Sequence, residues 1–168
     1  FRRVLFRFEM LYRGERLAVE YDTAVTRTAD QAFAARRGNC LSLVIMTATL
    51  AQALELPVHY QRVLIGNSWS RVGDLYVNSG HVNLVLGAPV KPRWISGYES
   101  MLIVDFLPGA ELQGIRTEAL ATSTITAMFQ NNRAAEALAA GDLDDAHAWA
   151  MRSEEHTSNS SHTDISRM

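Results

Sequence analysis

From Cys40 the chain is apolar at nearly every position as far as Leu54: Leu41, Leu43, Val44, Ile45, Met46, Ala48, Leu50, Ala51 and Ala53. A helix that is apolar on all faces is a buried one. Asn39, just before this run, suits the N-cap, where its side chain accepts from an orphaned backbone N–H. Gly38 suits the stop of a preceding helix. That shorter helix opens at Thr28-Ala-Asp-Gln31, the spacing of a capping box. Residues 9–26 mix apolar and charged positions and read as a helix passing into an extended segment. Pro57 closes the buried helix.

Beyond Pro57 the period changes. Residues 58–65 are rich in β-formers and predict a strand. Residues 66–74 read as a polar loop holding Trp69. Residues 75–78 predict a short strand, Ser79-Gly80 a turn and residues 81–86 a second strand, together a hairpin. Residues 87–97 are a loop. Residues 101–106 form a further strand stopped by Pro108-Gly109. From residue 125 the pattern turns helical again, with helices over 125–139 and 143–151. Gly141 is the stop of the first and Asp142 the N-cap of the second. Helices followed by short antiparallel strands indicate an α+β fold.

Composition narrows this picture. The 168 residues are 48% hydrophobic and 20% charged, which fits one folded domain with the start of a second. A formal net charge of -2 without a basic stripe gives no case for nucleic acid. No run approaches the ~18 apolar residues of a membrane span. The single cysteine excludes an internal disulfide framework and a multi-cysteine zinc cage, and it leaves the compartment open. Residues 1–7 and 153–168 resemble translated sequencing-adapter sequence, and residues 1–8 and 153–168 are expected to be non-native or disordered. His156 and His162 are therefore set aside as metal ligands. His59 and His147 read as structural.

Cys40 opens the buried helix, where the partial positive charge of a helix N-terminus favours thiolate over thiol. Arg36 and Arg37 add to that field, although such residues are commonly just solvated. By itself a lone cysteine in apolar surroundings is a core residue. Two other chemistry-bearing residues stand at element boundaries: His81 at a strand start and Asp105 late in a strand. A thiol on a helix with an imidazole and a carboxylate on adjoining strands meets the requirement for a cysteine triad. The backbone N–H of Cys40 supplies one oxyanion donor. Asn83, two places after His81, shares its strand face and is either a contact of His81 at the substrate cleft or a structural residue.

Three motifs carry more than their parts: Arg36-Arg-Gly-Asn-Cys-Leu-Ser-Leu43, Gly80-His-Val-Asn-Leu-Val-Leu86 and Leu102-Ile-Val-Asp-Phe106. In this order, over residues 28–108, they resemble the core motifs of the transglutaminase-like superfamily. Residues 131–150 resemble one tetratricopeptide repeat, as in bacterial members that carry both. The resemblance implies a papain-like core over residues 9–115, with a buried N-terminal helix on an antiparallel sheet, and a helical hairpin over residues 124–152. It implies Cys40 as nucleophile, His81 as base and Asp105 as orienter. The activity implied is thiol-dependent acyl transfer on amide bonds, either as a cysteine peptidase or amidase or as a protein-glutamine acyltransferase.

The partners implied are a protein or peptide substrate and a protein bound by the repeat helices. Bacterial cytoplasm and periplasm both remain open. Eukaryotic members place an oxyanion tryptophan upstream of the cysteine. Here none precedes Cys40, and Gln31, Tyr21 and Trp69 stand as substitutes. No calcium loop of the Asp-x-Asp-x-Asp-Gly type is present, so neither metal nor cofactor is expected. Two other readings stay open on residues alone. One is a non-enzymatic interaction module using the helical hairpin. The other is a Zn²⁺ site of Cys40, His81 and Asp105, for which the spacing is a poor signal.

Overall fold

The computed structural model describes residues 18–72, 75–87, 101–106 and 116–164, with side chains at 18–64, 80–87, 101–106 and 116–156. In order the elements are β1 (Glu20–Tyr21), α1 (Ala29–Ala35), β2 (Arg37–Gly38), α2 (Cys40–Ala53), β3 (Val58–Val72), β4 (Leu75–Leu86), β5 (Leu102–Val104), β6 (Thr117–Leu120), α3 (Thr122–Ala139) and α4 (Leu143–Asp164). β1 and β2 form a parallel pair, and the other strands form an antiparallel sheet in the order β5-β4-β3-β6. The α+β class holds. The expectations for residues 9–17, for the loop from residue 88 onward and for the stop at Pro108-Gly109 lie outside the described residues.

The chain divides into two compact units, Phe1–Gln61 with Val82–Gln113 and Arg62–His81 with Gly114–Met168. In the first, α2 is buried along most of its length, with Leu41, Leu43, Val44, Met46, Ala48 and Ala51 all inaccessible. Leu43 and Met46 pack with Ala32 of α1, and Val19, Tyr21, Leu50 and Phe106 close around them. The far end of α2 is sealed without glycine. Glu55 takes a left-handed conformation with φ 57°. Its N–H donates to the Gln52 carbonyl (2.9 Å), and the Leu56 N–H donates to that of Ala51 (3.0 Å). These are the two bonds of a Schellman motif.

The near end of α2 is where the sequence reading needs correction. Gly38 does not stop α1; Arg36 does, with φ 50°. Gly38 instead pairs with Tyr21 in the β1–β2 ladder. The position excludes a side chain for a steric reason, since a Cβ there would lie 2.8 Å from Cβ of Ser42. That approach brings Ser42 into a polar cluster. The Asn39 side-chain oxygen accepts from both the Ser42 N–H (2.9 Å) and the Ser42 hydroxyl (2.8 Å). Its amide donates to the Thr26 hydroxyl oxygen (2.8 Å), and the Arg27 N–H donates to Ser42 Oγ (2.8 Å). Thr26 and Ser42 are both buried. Asn39 is thus the N-cap expected, and it also ties the segment before α1 onto the mouth of α2.

Ser79-Gly80 is not a turn. β4 runs unbroken through both residues, so His81 sits within the strand rather than at its start. β3 likewise continues through residues 66–72, so Trp69 lies in a strand and not in a loop. Pairing between these long neighbours overrides the local turn preference of Ser-Gly and the polar composition of residues 66–72.

In the second unit, β6 joins the sheet edge, with the Leu64 N–H donating to the Arg116 carbonyl (2.9 Å). No alternating pattern marks this strand in the sequence. α3 and α4 form the expected helical hairpin. Gly141 has φ 82°, and the Asp142 carboxylate accepts from the Asp145 N–H (3.1 Å). Phe129 meets Trp149 edge-on at 6.3 Å, and Arg133 and Arg152 stand over the Trp149 ring.

Residues 153–164 correct the expectation of a disordered end, because α4 continues to Asp164. Nothing in this stretch breaks a helix, and extending an existing helix is far easier than starting one. Ser153 also donates to the Ala127 carbonyl (2.9 Å). Among the described residues, no helix is long and apolar enough to cross a membrane.

The cluster at Asn39 yields a stability prediction. Asn39→Ala loses the cap and the bonds from Asn39 to the buried Ser42 and Thr26 hydroxyls, a cost of about 2–3 kcal/mol. Asn39→Asp keeps the acceptor and loses only the donor to Thr26, so urea denaturation should show a smaller loss.

Candidate active site

Cys40 is the first residue of α2 and is partly exposed, while its neighbours Leu41 and Ser42 are buried. The β1–β2 pair fixes what faces it. Tyr21 lies opposite Gly38 in register. The ladder is closed by the Glu20 N–H donating to the Arg36 carbonyl (2.9 Å) and the Asp22 N–H donating to that of Gly38 (3.0 Å).

The Tyr21 phenol lies in the neighbourhood of Cys40. Its pKa is raised above the usual phenol value, first by burial and then by the charge of Cys40. The backbone of Cys40 acts the other way, lowering it. Asp105 also raises the Tyr21 pKa through its charge, which brings the carboxylate into the same neighbourhood.

Asp105 directly follows β5. β4 and β5 pair with Leu84 opposite Val104 and Val85 opposite Ile103. One step further, Asn83 Nδ2 donates to Asp105 Oδ2 at 3.0 Å. Asn83 is only 2% exposed. Its Oδ1 is also buried and finds no hydrogen-bond partner among the described residues. The amide thus holds the carboxylate, a role different from the His81 or cleft contact considered for it from the sequence. Phe106, the next residue, packs on the cluster of Ala32, Leu43 and Met46 beside Tyr21.

His81 is only 4% exposed. It lies two residues before Asn83 on β4, on the same face by strand alternation. It closes the β-segment of the second unit, whereas Cys40, Tyr21, Asn83 and Asp105 all belong to the first.

The remaining candidates separate. Gln31 is exposed, and its side-chain oxygen accepts from the Thr28 N–H (3.1 Å), so it serves the capping box of α1. The side chain of Trp69 lies outside the described residues. Arg36 and Arg37 are exposed. Among the described residues, no group of three His, Cys, Asp or Glu side chains is arranged to hold a metal ion. Ser42 was missed as a functional partner of Asn39. Its only signal was its place three residues after the cap, where a hydroxyl in an apolar helix needs a partner.

Chemically the site offers a thiol at a helix N-terminus, a phenol and a backbone N–H beside it, and a buried amide–carboxylate pair. Tyr21 also sets a pH dependence. Its folded pKa is raised, so its contribution to stability is intact below the ordinary phenol pKa of ~10. Above that value the unfolded state ionises first and stability falls until the folded pKa is passed. Denaturation midpoints measured from about pH 8 to 11 should fall in the wild type and fall less steeply in Tyr21→Phe. The chain matches no protein-family model, no curated protein and no solved structure.

Proposed function

We propose that this chain carries a thiol-dependent acyl-transfer centre of the transglutaminase-like, papain-like kind, acting on amide bonds of a protein or peptide. The Cys40 thiolate attacks the amide carbonyl, and an acyl-cysteine forms as the amine leaves. Water or a second amine then resolves that intermediate, giving hydrolysis or transamidation. His81 is the base, which holds the thiolate as an ion pair and then protonates the leaving amine. Asp105 orients the imidazole. Asn83 holds the Asp105 carboxylate in turn, through the bond described above. The backbone N–H of Cys40 is an oxyanion donor.

One observation carries the reading. The only cysteine opens a buried helix at a partly exposed position, and the charges of Cys40 and of the Asp105 carboxylate both act on the Tyr21 phenol. A core cysteine would sit among apolar groups. The buried His81, two residues from the asparagine that holds Asp105, adds support.

A second reading treats the chain as an interaction module. It draws on the α3–α4 hairpin, where exposed Leu138, Leu143 and Met151 accompany a shallow groove lined by Ala134, Ala135, Ala146 and Ala150. Turnover of a fluorogenic peptide library separates the two. The enzyme reading expects Cys40→Ala and His81→Ala each to lose on the order of 10³-fold or more in rate. Equal signals from the wild type and Cys40→Ala leave only the interaction module.

A further inference from the structure

We propose that Asn83 is a positioning residue of the acyl-transfer centre, which holds the Asp105 carboxylate ionised and in one orientation. This rests on the acyl-transfer reading above and names the residue on which its orienting group depends.

Packing alone gives no reason for an asparagine at this position. Its neighbours Val82, Leu84, Val85 and Leu86 are all 1% exposed or less. A strand buried on both faces is built from apolar residues, and asparagine is poorly suited to a strand interior. A buried amide costs free energy for each polar atom left unpaired. The Asn83 amide is half paired. Nδ2 donates to Asp105 Oδ2 at 3.0 Å, and Oδ1 is buried with no partner among the described residues. A valine or leucine would fill the strand without that cost. What the amide supplies and an apolar side chain does not is the bond to Asp105.

That bond is held in place from both strands. The β4–β5 register, with Leu84 opposite Val104, sets Asn83 opposite Asp105 one step along. Phe106, the next residue, packs on the cluster of Ala32, Leu43 and Met46. The amide has one usable orientation, because a carboxylate only accepts and the reversed amide would set two oxygens together. With Oδ2 tied, the carboxylate no longer turns about its Cβ–Cγ bond, so the direction of Oδ1 is set as well. A hydrogen bond to the ionised form also favours that form. The donor is neutral, so it acts alike at every pH at which the fold stands.

Asn83 takes no part in bond making. On the acyl-transfer reading, the Asp105 charge supports the imidazolium form of His81, which stands against the thiolate and then gives its proton to the leaving amine. A carboxylate that turns or protonates gives up that support. The loss falls on the chemical steps and not on substrate binding.

Asn83→Leu is close to isosteric and removes the donor. Asn83→Val, smaller and suited to strands, is the second variant. The first measurement is the titration of the Asp105 carboxyl carbon by NMR in Cys40→Ala protein, its signal identified by its loss in Asp105→Asn. Of the titratable groups on the neighbouring elements, Cys40 on α2 is thereby removed, and Asp30 on α1 and Glu20 on β1 are exposed. His81 on β4 and Tyr21 on β1 are of types that ordinarily titrate above the carboxylate range. The Asp105 carboxyl should titrate about one pH unit higher when Asn83→Leu is added. The second measurement is kinetic, with the most rapidly cleaved peptide of the fluorogenic library. In otherwise wild-type protein, Asn83→Leu should lower kcat about tenfold and leave KM within about twofold. In Asp105→Ala protein the same change should alter the rate by less than about twofold, because Asn83 acts through Asp105.

A carboxyl that titrates at the same pH in both proteins overturns the proposal. So does a tenfold loss that persists in Asp105→Ala protein, and so does failure of both variants to fold, since either makes Asn83 a packing residue. A wild type that turns over no peptide sinks the acyl-transfer reading and the positioning role with it. An active wild type with an unmoved carboxyl sinks the role of Asn83 alone.

Discussion

The Asn39 side chain is the constraint on which the first unit depends. Its oxygen accepts twice from Ser42 and its nitrogen donates to Thr26, so one amide joins the first turn of α2 to the chain before α1. None of these bonds is exceptional in strength; each contributes about 1 kcal/mol net. Their weight comes from burial, since Thr26 and Ser42 have no water to turn to. The cluster forces the backbone of Gly38 against Ser42, which only glycine permits. That approach sets β2, β2 sets the register of β1, and β1 sets Tyr21 beside Cys40. The position of the phenol thus follows from a cap, a close approach and a two-residue ladder.

A second constraint acts from the sheet. Asp105 follows a three-residue strand, too short to fix a side chain alone. Asn83 does so from the neighbouring strand, and Phe106 anchors the following position in the same apolar cluster that holds the Tyr21 ring. A partly buried carboxylate costs free energy unless it is hydrogen-bonded, and the amide offsets that cost. The charge of Asp105 in turn disfavours tyrosinate at Tyr21, which keeps the phenol neutral. Structure and proposed chemistry meet at that carboxylate.

Much of this was legible in the sequence where the signal is local. The buried helix, its Asn39 cap, the Thr28–Gln31 capping box and the Gly141–Asp142 junction follow from residue types at fixed offsets. What was not legible depends on partners distant in sequence. Gly38 looks like a helix stop, because nothing local announces Ser42 as its neighbour. Ser79-Gly80 looks like a turn until β3 supplies a continuous ladder. β6 has no apolar alternation, and β3 alone gives it a reason to be a strand. The polar end of α4 lacks any packing signal and is helical because the helix before it is already formed. Cys40, His81 and Asp105 were picked out by residue type and motif order. The part Asn83 plays, holding Asp105, depends on a partner across the strand that no local pattern names.

The central claim is that Cys40 is a nucleophile assisted by its surroundings. The most direct measurement is the rate of iodoacetamide alkylation of Cys40 at about pH 6, beside free cysteine, where an unassisted thiol is almost wholly protonated. The account predicts that Cys40 reacts faster than free cysteine and that His81→Ala removes the advantage. A rate no greater than that of free cysteine would contradict it.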